Sequence, residues 1–149
     1  MITETDKNII LEWEDIDNLV THIEAQVRQH HPQVGMIVGV SRGGVIPGVM
    51  LSHKLGIGFE TVQWTLRDGL KKEIGRLNNI TERYQCLVID DILDSGATIE
   101  DMKADCLHPF KVATLLAKKS SEHIDIEGRK YYNNDKWVVF PWEELNIEY

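Results

Sequence analysis

Positive charge is scarce in this chain. Sixteen Lys and Arg face twenty-four Asp and Glu, for a net charge of −8 at pH 7. A surface that tracks a nucleic-acid backbone needs clustered Lys and Arg, so this balance argues against that main function. Cysteine is scarcer still, at two in 149 residues. Cys86 and Cys106 form neither a CxxC pair nor any metal-ligand spacing, which leaves a disulfide scaffold and a thiolate metal site without support. Cys86 opens an apolar run and reads as a buried free thiol in a reducing compartment. No apolar run approaches the roughly 20 residues needed to cross a bilayer. The opening MITETDKNII lacks the basic-then-apolar order of a signal peptide. The expected address is cytoplasmic, with no membrane and no nucleic-acid partner. Repeats and low-complexity tracts are absent too.

What is present is an ordinary globular composition, 42% hydrophobic and 27% charged. It is enough for a single domain over residues 1–149 with a core of its own. From Glu14 to His30 the apolar residues Ile16, Leu19, Val20, Ile23 and Val27 share one helical face. His30 and His31, before Pro32, close that helix, and imidazoles suit its C-terminal dipole without any metal. VGMIVGV, 34–40, reads as a buried strand, and VIPGVMLSHKL, 45–55, as a helix with Pro47 in its first turn. FETVQWTL, 59–66, alternates as a strand. Residues 86–89 and 112–117 are further buried strands, with a helix over about 97–107 between them. Tyr131-Tyr132 and Trp137–Phe140 read as short strands. Residues 67–83 carry Arg67, Lys71, Lys72, Arg76 and Arg83 against Asp68, Glu73 and Glu82, five minus three or a local +2. That segment is expected to be a mobile loop, either simply solvated or a basic flap over an anion. Strand and helix alternate, which predicts an α/β fold with a mostly parallel sheet flanked by helices.

In such sheets ligands sit beyond the carboxyl ends of the strands. Two motifs fall there. In DSGAT, Gly96 permits close backbone approach, Ser95 and Thr98 add hydroxyls, and a helix N-terminus favours an anion. Read alone, Asp94 or Ser95 is equally a helix cap. Asp90 and Asp91 tip the reading. Adjacent carboxylates at a strand end repel, and they call for a cation or a hydroxyl-rich ligand. In SRGG, 41–44, two glycines after a buried strand let successive N–H groups converge on an anion, and Arg42 adds a fixed charge.

VIDDILDSGAT resembles the signature for 5-phosphoribosyl-1-diphosphate (PRPP) of the type I phosphoribosyltransferases. GVSRGGVIPGVMLSHKLG resembles their pyrophosphate loop and following helix. ATLLAK, ending at Lys118, looks like the strand whose lysine reads a purine 6-oxo group. WVVFPWEE, 137–144, is similar to the C-terminal hood of the short xanthine, guanine and hypoxanthine enzymes, and the match runs loosely from Leu11 to Glu144. Read alone, Lys118 is a solvated charge and Trp137 or Trp142 a core residue; their order with the other motifs overrides that.

The resemblance implies a role for each matching position. Asp90 and Asp91 would bind the ribose hydroxyls, directly or through Mg²⁺, and Asp94 would sit near purine N7 and assist proton transfer. Ser95, Gly96, Ala97 and Thr98 would hold the 5-phosphate. Ser41, Arg42, Gly43 and Gly44 would hold pyrophosphate with an unusual peptide geometry. Lys118 would donate to O6, Trp137 would stack on the purine, Val138 would offer backbone groups, and Glu143 would approach the 2-position. The family's mobile loop commonly holds a Ser-Tyr pair; QWTLRDGLKK lacks it, with Arg67 and Lys71 as replacements. A hood over about 118–149 and a homodimer or homotetramer are expected. The implied function is purine salvage from PRPP and a 6-oxopurine. The alternatives are a PRPP- or nucleotide-sensing regulator on the same fold, and a sister enzyme for orotate, adenine or uracil.

Overall fold

The strongest apolar runs form the middle of one sheet, because only a strand covered on both faces can be apolar throughout. The computed structural model describes residues 1–66, 71–130 and 135–143. In chain order the elements are β1 (Thr3–Glu4), β2 (Asn8–Ile10), α1 (Trp13–His30), β3 (Met36–Ser41), α2 (Val45–Leu55) and β4 (Gly58–Thr65). There follow β5 (Lys71–Lys72), α3 (Ile74–Arg83), β6 (Cys86–Leu93), α4 (Ala97–Asp105), β7 (Lys111–Ala117), β8 (Ile126–Lys130) and β9 (Trp137–Val139). The main sheet has the order β5-β4-β3-β6-β7-β8. All its pairings are parallel except the β4–β5 hairpin.

Successive strand residues point to opposite faces, and two cores result. On one face Ile37, Leu87, Ile89 and Leu115 pack against Ile16, Leu19, Val20 and Ile23 of α1 and Leu51 of α2. On the other, Val38, Val62, Val88 and Val112 meet Leu77 and Ile80 of α3 and Ile99 and Met102 of α4. Each fully buried aliphatic side chain is worth about 1.5–3 kcal/mol. Cys86 is buried and free, and burial pushes its thiol up to about 11.

Local chemistry fixes the helix ends. At the start of α1 the Glu12 N–H donates to Asp15 Oδ2 at 2.7 Å, half of a reciprocal capping box. Helix α2 stops at Gly56, whose φ of 67° is the left-handed value a helix C-terminus favours.

Two expectations are corrected. Residues 74–83 are not loop but helix: Ile74, Leu77 and Ile80 fall at helical spacing and pack on the sheet. The basic flap therefore narrows to the β4–β5 hairpin, whose tip, with Arg67, lies outside the described residues. The hood does not run over 118–149 either. Ile126–Lys130 joins the main sheet as β8, and the small sheet has the order β1-β2-β9, two N-terminal strands with one C-terminal strand. The Tyr131-Tyr132 strand lies outside the described residues.

Candidate active site

Strands β3 and β6 are parallel neighbours, Met36 opposite Cys86 through Gly39 opposite Ile89. Both signature loops therefore leave the same sheet edge. Strand β6 carries the chemistry past its apolar part. Asp90 follows Val88 toward the α3–α4 face, and Asp91 follows Ile89 toward the α1–α2 face. Each carboxylate borders its own hollow.

On the Asp91 side lies a cleft of about 820 Å³ lined by Arg42, Gly43, Val45, Ile46, Asp91, Trp142 and Glu143. The Ser41–Arg42 peptide is cis. A Cβ at Gly43 would overlap the Asp91 carboxylate, so glycine is what lets the loop pass this close. Gly44 is buried, and a Cβ there would collide with the Ile89 carbonyl. Of the SRGG segment, Arg42 and Gly43 line the cleft, whereas Ser41 and Gly44 do not.

On the Asp90 side lies a hollow of about 300 Å³ lined by Trp64, Thr65, Leu66, Asp90 and the stretch Ile92–Ile99. Gly96, at φ 83°, turns the chain into α4. The first N–H groups of a helix have no intrahelical partners. Here Ser95 Oγ accepts one, from Ala97 at 3.2 Å. Free N–H groups at a helix N-terminus favour an anion.

Between the hollows sits the acid pair. The Asp91 N–H donates to Asp90 Oδ1 at 2.9 Å, and the Ile92 N–H to Asp91 Oδ1 at 2.8 Å. Burial raises both carboxyls above their ordinary value, Asp90 strongly, with the Asp91 charge adding to it. Burial also raises Glu143, and Asp91 again adds to it. Asp91 and Glu143 border one cleft and Asp90 the other hollow, and a divalent cation or a polyol would relieve the burial of such acids.

Lys118, Trp137 and Val138, expected to read a base, line neither hollow. Lys118 follows β7, its N–H donates to the Leu93 carbonyl at 2.9 Å, and its Nζ lies 3.9 Å from Asp94 Oδ1. The β2–β9 register decides what Val138 offers. Trp137 N–H donates to Lys7 O at 2.9 Å, and Leu11 N–H donates to Val139 O at 3.0 Å. Residues of a parallel ladder alternate in which neighbour they bond, so the Val138 N–H and C=O point away from β2. No described strand lies on that side. Trp137 is 68% exposed and lines neither hollow. Glu143, expected near a purine 2-position, borders the cleft with Arg42 and Asp91. Trp142, left unassigned by sequence, lines that same cleft. Its signal was the second aromatic of FPWEE, which composition alone assigns to the core.

The Phosphoribosyl transferase domain profile matches residues 7–145. The chain belongs to that family. Among curated phosphoribosyltransferases it is 27% identical over 117 residues to a xanthine-guanine phosphoribosyltransferase of Cereibacter sphaeroides, covering 72% of this chain and 68% of that one. A xanthine-guanine phosphoribosyltransferase of Idiomarina loihiensis is 24% identical over 151 residues, covering 97% and 92%. A solved purine phosphoribosyltransferase of Pyrococcus horikoshii superposes with a TM-score of 0.70 at 26% identity, covering 94% and 97%. Its likeness extends to the mostly parallel sheet flanked by helices.

Proposed function

We propose that the protein makes a purine nucleotide in salvage, moving the 5-phosphoribosyl group of PRPP to a 6-oxopurine and releasing pyrophosphate. The observation that carries this reading is the pair of hollows flanking Asp90 and Asp91 at one sheet edge. A phosphorylated sugar with a diphosphate at C1 has one anion for each. The 5-phosphate takes the N–H groups of Ser95–Thr98, the ribose diol meets Asp90 and Asp91, and the diphosphate lies along Arg42 and Gly43. That Asp91 and Glu143 share the cleft supports both as ligands or water-mediated holders of Mg²⁺, with Asp90 beside them. When bound, Mg²⁺ supplies charge neutralisation for the diphosphate as it leaves.

In the reaction the C1–O bond to the diphosphate breaks and a C1–N bond to the purine forms. Positive charge builds at C1, much as in glycoside cleavage. The N–H donors of the Gly43 turn meet the charge on the departing diphosphate. The purine loses a ring proton, which Asp94 accepts. Lys118, beside Asp94, donates to O6, the Val138 edge reads the rest of the ring, and Trp137 offers an aromatic face.

The test mixes the protein with PRPP, Mg²⁺ and, separately, hypoxanthine, guanine, xanthine and adenine. Nucleotide should form with at least one 6-oxopurine and poorly with adenine. Well-folded protein that binds PRPP yet yields no nucleotide would leave the sensing role in its place.

A further inference from the structure

Trp13 stands apart from the site just described, and its position is unusually well fixed. It is the first residue of α1, directly after Glu12 of the capping box. Met1 reinforces that cap, its ammonium lying 3.1 Å from Asp15. Two residues earlier, the Leu11 N–H is bonded to the Val139 carbonyl of β9. The backbone is thus held on both sides, yet the indole is 52% exposed, so burial in the core is not what it serves. It contacts Trp142 instead, ring centre to ring centre at 6.0 Å with the planes tilted by 53°.

Trp142 lines the same cleft as Arg42, Gly43 and Asp91. It also stacks on the buried Phe140 at 4.8 Å and 7°. A turn closed by the Glu143 N–H to the Phe140 carbonyl, at 3.0 Å, ties Trp142 to Glu143. Trp142 and Glu143 are thus carried by one turn and both line the cleft, so a shift of that turn moves both. Phe140 belongs to the same C-terminal segment; Trp13 is the ring that reaches it from the N-terminal side.

We infer that Trp13 is a positioning residue for the diphosphate end of the substrate, acting through Trp142 and Glu143. An aromatic pair contributes energy and a preferred geometry beyond simple area burial. Losing one ring frees the other to adopt rotamers that open the cleft. The effect should fall on the ligand that fills this cleft and spare the purine, whose proposed contacts with Lys118 and Val138 lie outside it. The inference rests on the transferase reading for its kinetic form, but its binding form does not need turnover.

The test compares wild type, Trp13→Ala and Trp13→Phe in the full chain. Calorimetric titration with Mg²⁺-pyrophosphate should show affinity falling roughly three- to tenfold in Trp13→Ala and recovering in Trp13→Phe. In steady-state assays the KM for PRPP should rise by a similar factor while the KM for the purine stays within about twofold. Wild-type pyrophosphate affinity in a folded Trp13→Ala variant overturns the inference, and so does an equal rise in both KM values. A wild type that binds pyrophosphate without turning over any base defeats the transferase reading alone, and the titration still decides the role of Trp13.

Discussion

Replacing Asp90 by Asn should make the free protein more stable. The Asp90 carboxyl is pushed well up, first by burial and then by Asp91, and among the described residues no cationic side chain pairs with it. Asn keeps the shape and can still accept the 2.9 Å bond from the Asp91 N–H. It removes the charge that burial penalises. The gain is about 1–3 kcal/mol, the scale of a buried polar group without its full partners. For a chain of this size that is about 3–9 °C in Tm. The pH dependence follows from the direction of the shift. A raised carboxyl means that the folded state binds more protons than the unfolded state above the ordinary value of 3.8. Stability from this group is then full below 3.8 and is lost as pH rises through the folded value. Thermal melts of both proteins should coincide near pH 4 and separate toward pH 7.5, with Asp90→Asn the higher. Adding Mg²⁺ and PRPP should close or reverse the gap, because the ligands stabilise only a protein that binds them. A variant that melts below wild type at pH 7.5, or a gap independent of pH, would refute the reasoning.

Thr114 sits opposite Asp90 in the β6–β7 ladder, fully buried, with a hydroxyl that has no hydrogen-bond partner among the described residues. Thr114→Val should raise stability by about 1 kcal/mol, read as an upward shift in urea midpoint; a lower midpoint contradicts it. Gly43→Ala pushes a methyl into the Asp91 carboxylate. It should cost about 1–3 kcal/mol of stability, and kcat/KM for PRPP should fall at least tenfold; a wild-type value would show that the loop has room. Asp94→Ala should keep the fold, because the side chain is mostly exposed, and slow turnover roughly 10²–10⁴-fold. Lys118→Ala should narrow the preference for 6-oxopurines over adenine, measured as the ratio of kcat/KM values. Unchanged ratios would remove Lys118 from base recognition.

Much of the framework was legible because its signals are local. Helix α2 begins and ends where VIPGVMLSHKL predicts, since Pro47 suits its first turn and Gly56 its stop. The strand runs of β3, β6 and β7 announce themselves as unbroken apolar stretches, and their parallel adjacency put both signature loops at one edge. Helix α3 escaped because Arg76, Glu82 and Arg83 made its segment look solvated, while the apolar stripe Ile74, Leu77 and Ile80 is only three residues wide. Strands β1 and β2 have two and three residues. Strand β2 pairs with β9, nearly the whole chain away, and β1 pairs with β2 in turn; no local pattern encodes that long-range partner. The same pairing explains Glu143. Its acid was visible in FPWEE, but its place opposite Arg42 depends on how the N-terminal strands carry the C-terminal segment over the cleft.

The proposed reaction moves a phosphoribosyl group from a diphosphate to a purine at one sheet edge. Phosphorus NMR follows it directly, in a sample holding protein, PRPP, Mg²⁺ and an equal mixture of hypoxanthine, guanine and xanthine. PRPP signals should decline while free pyrophosphate and a nucleoside 5′-monophosphate appear in equal amounts, with no reaction when the purines are left out. PRPP that persists unchanged beside folded protein, or is hydrolysed without forming nucleotide, would contradict it.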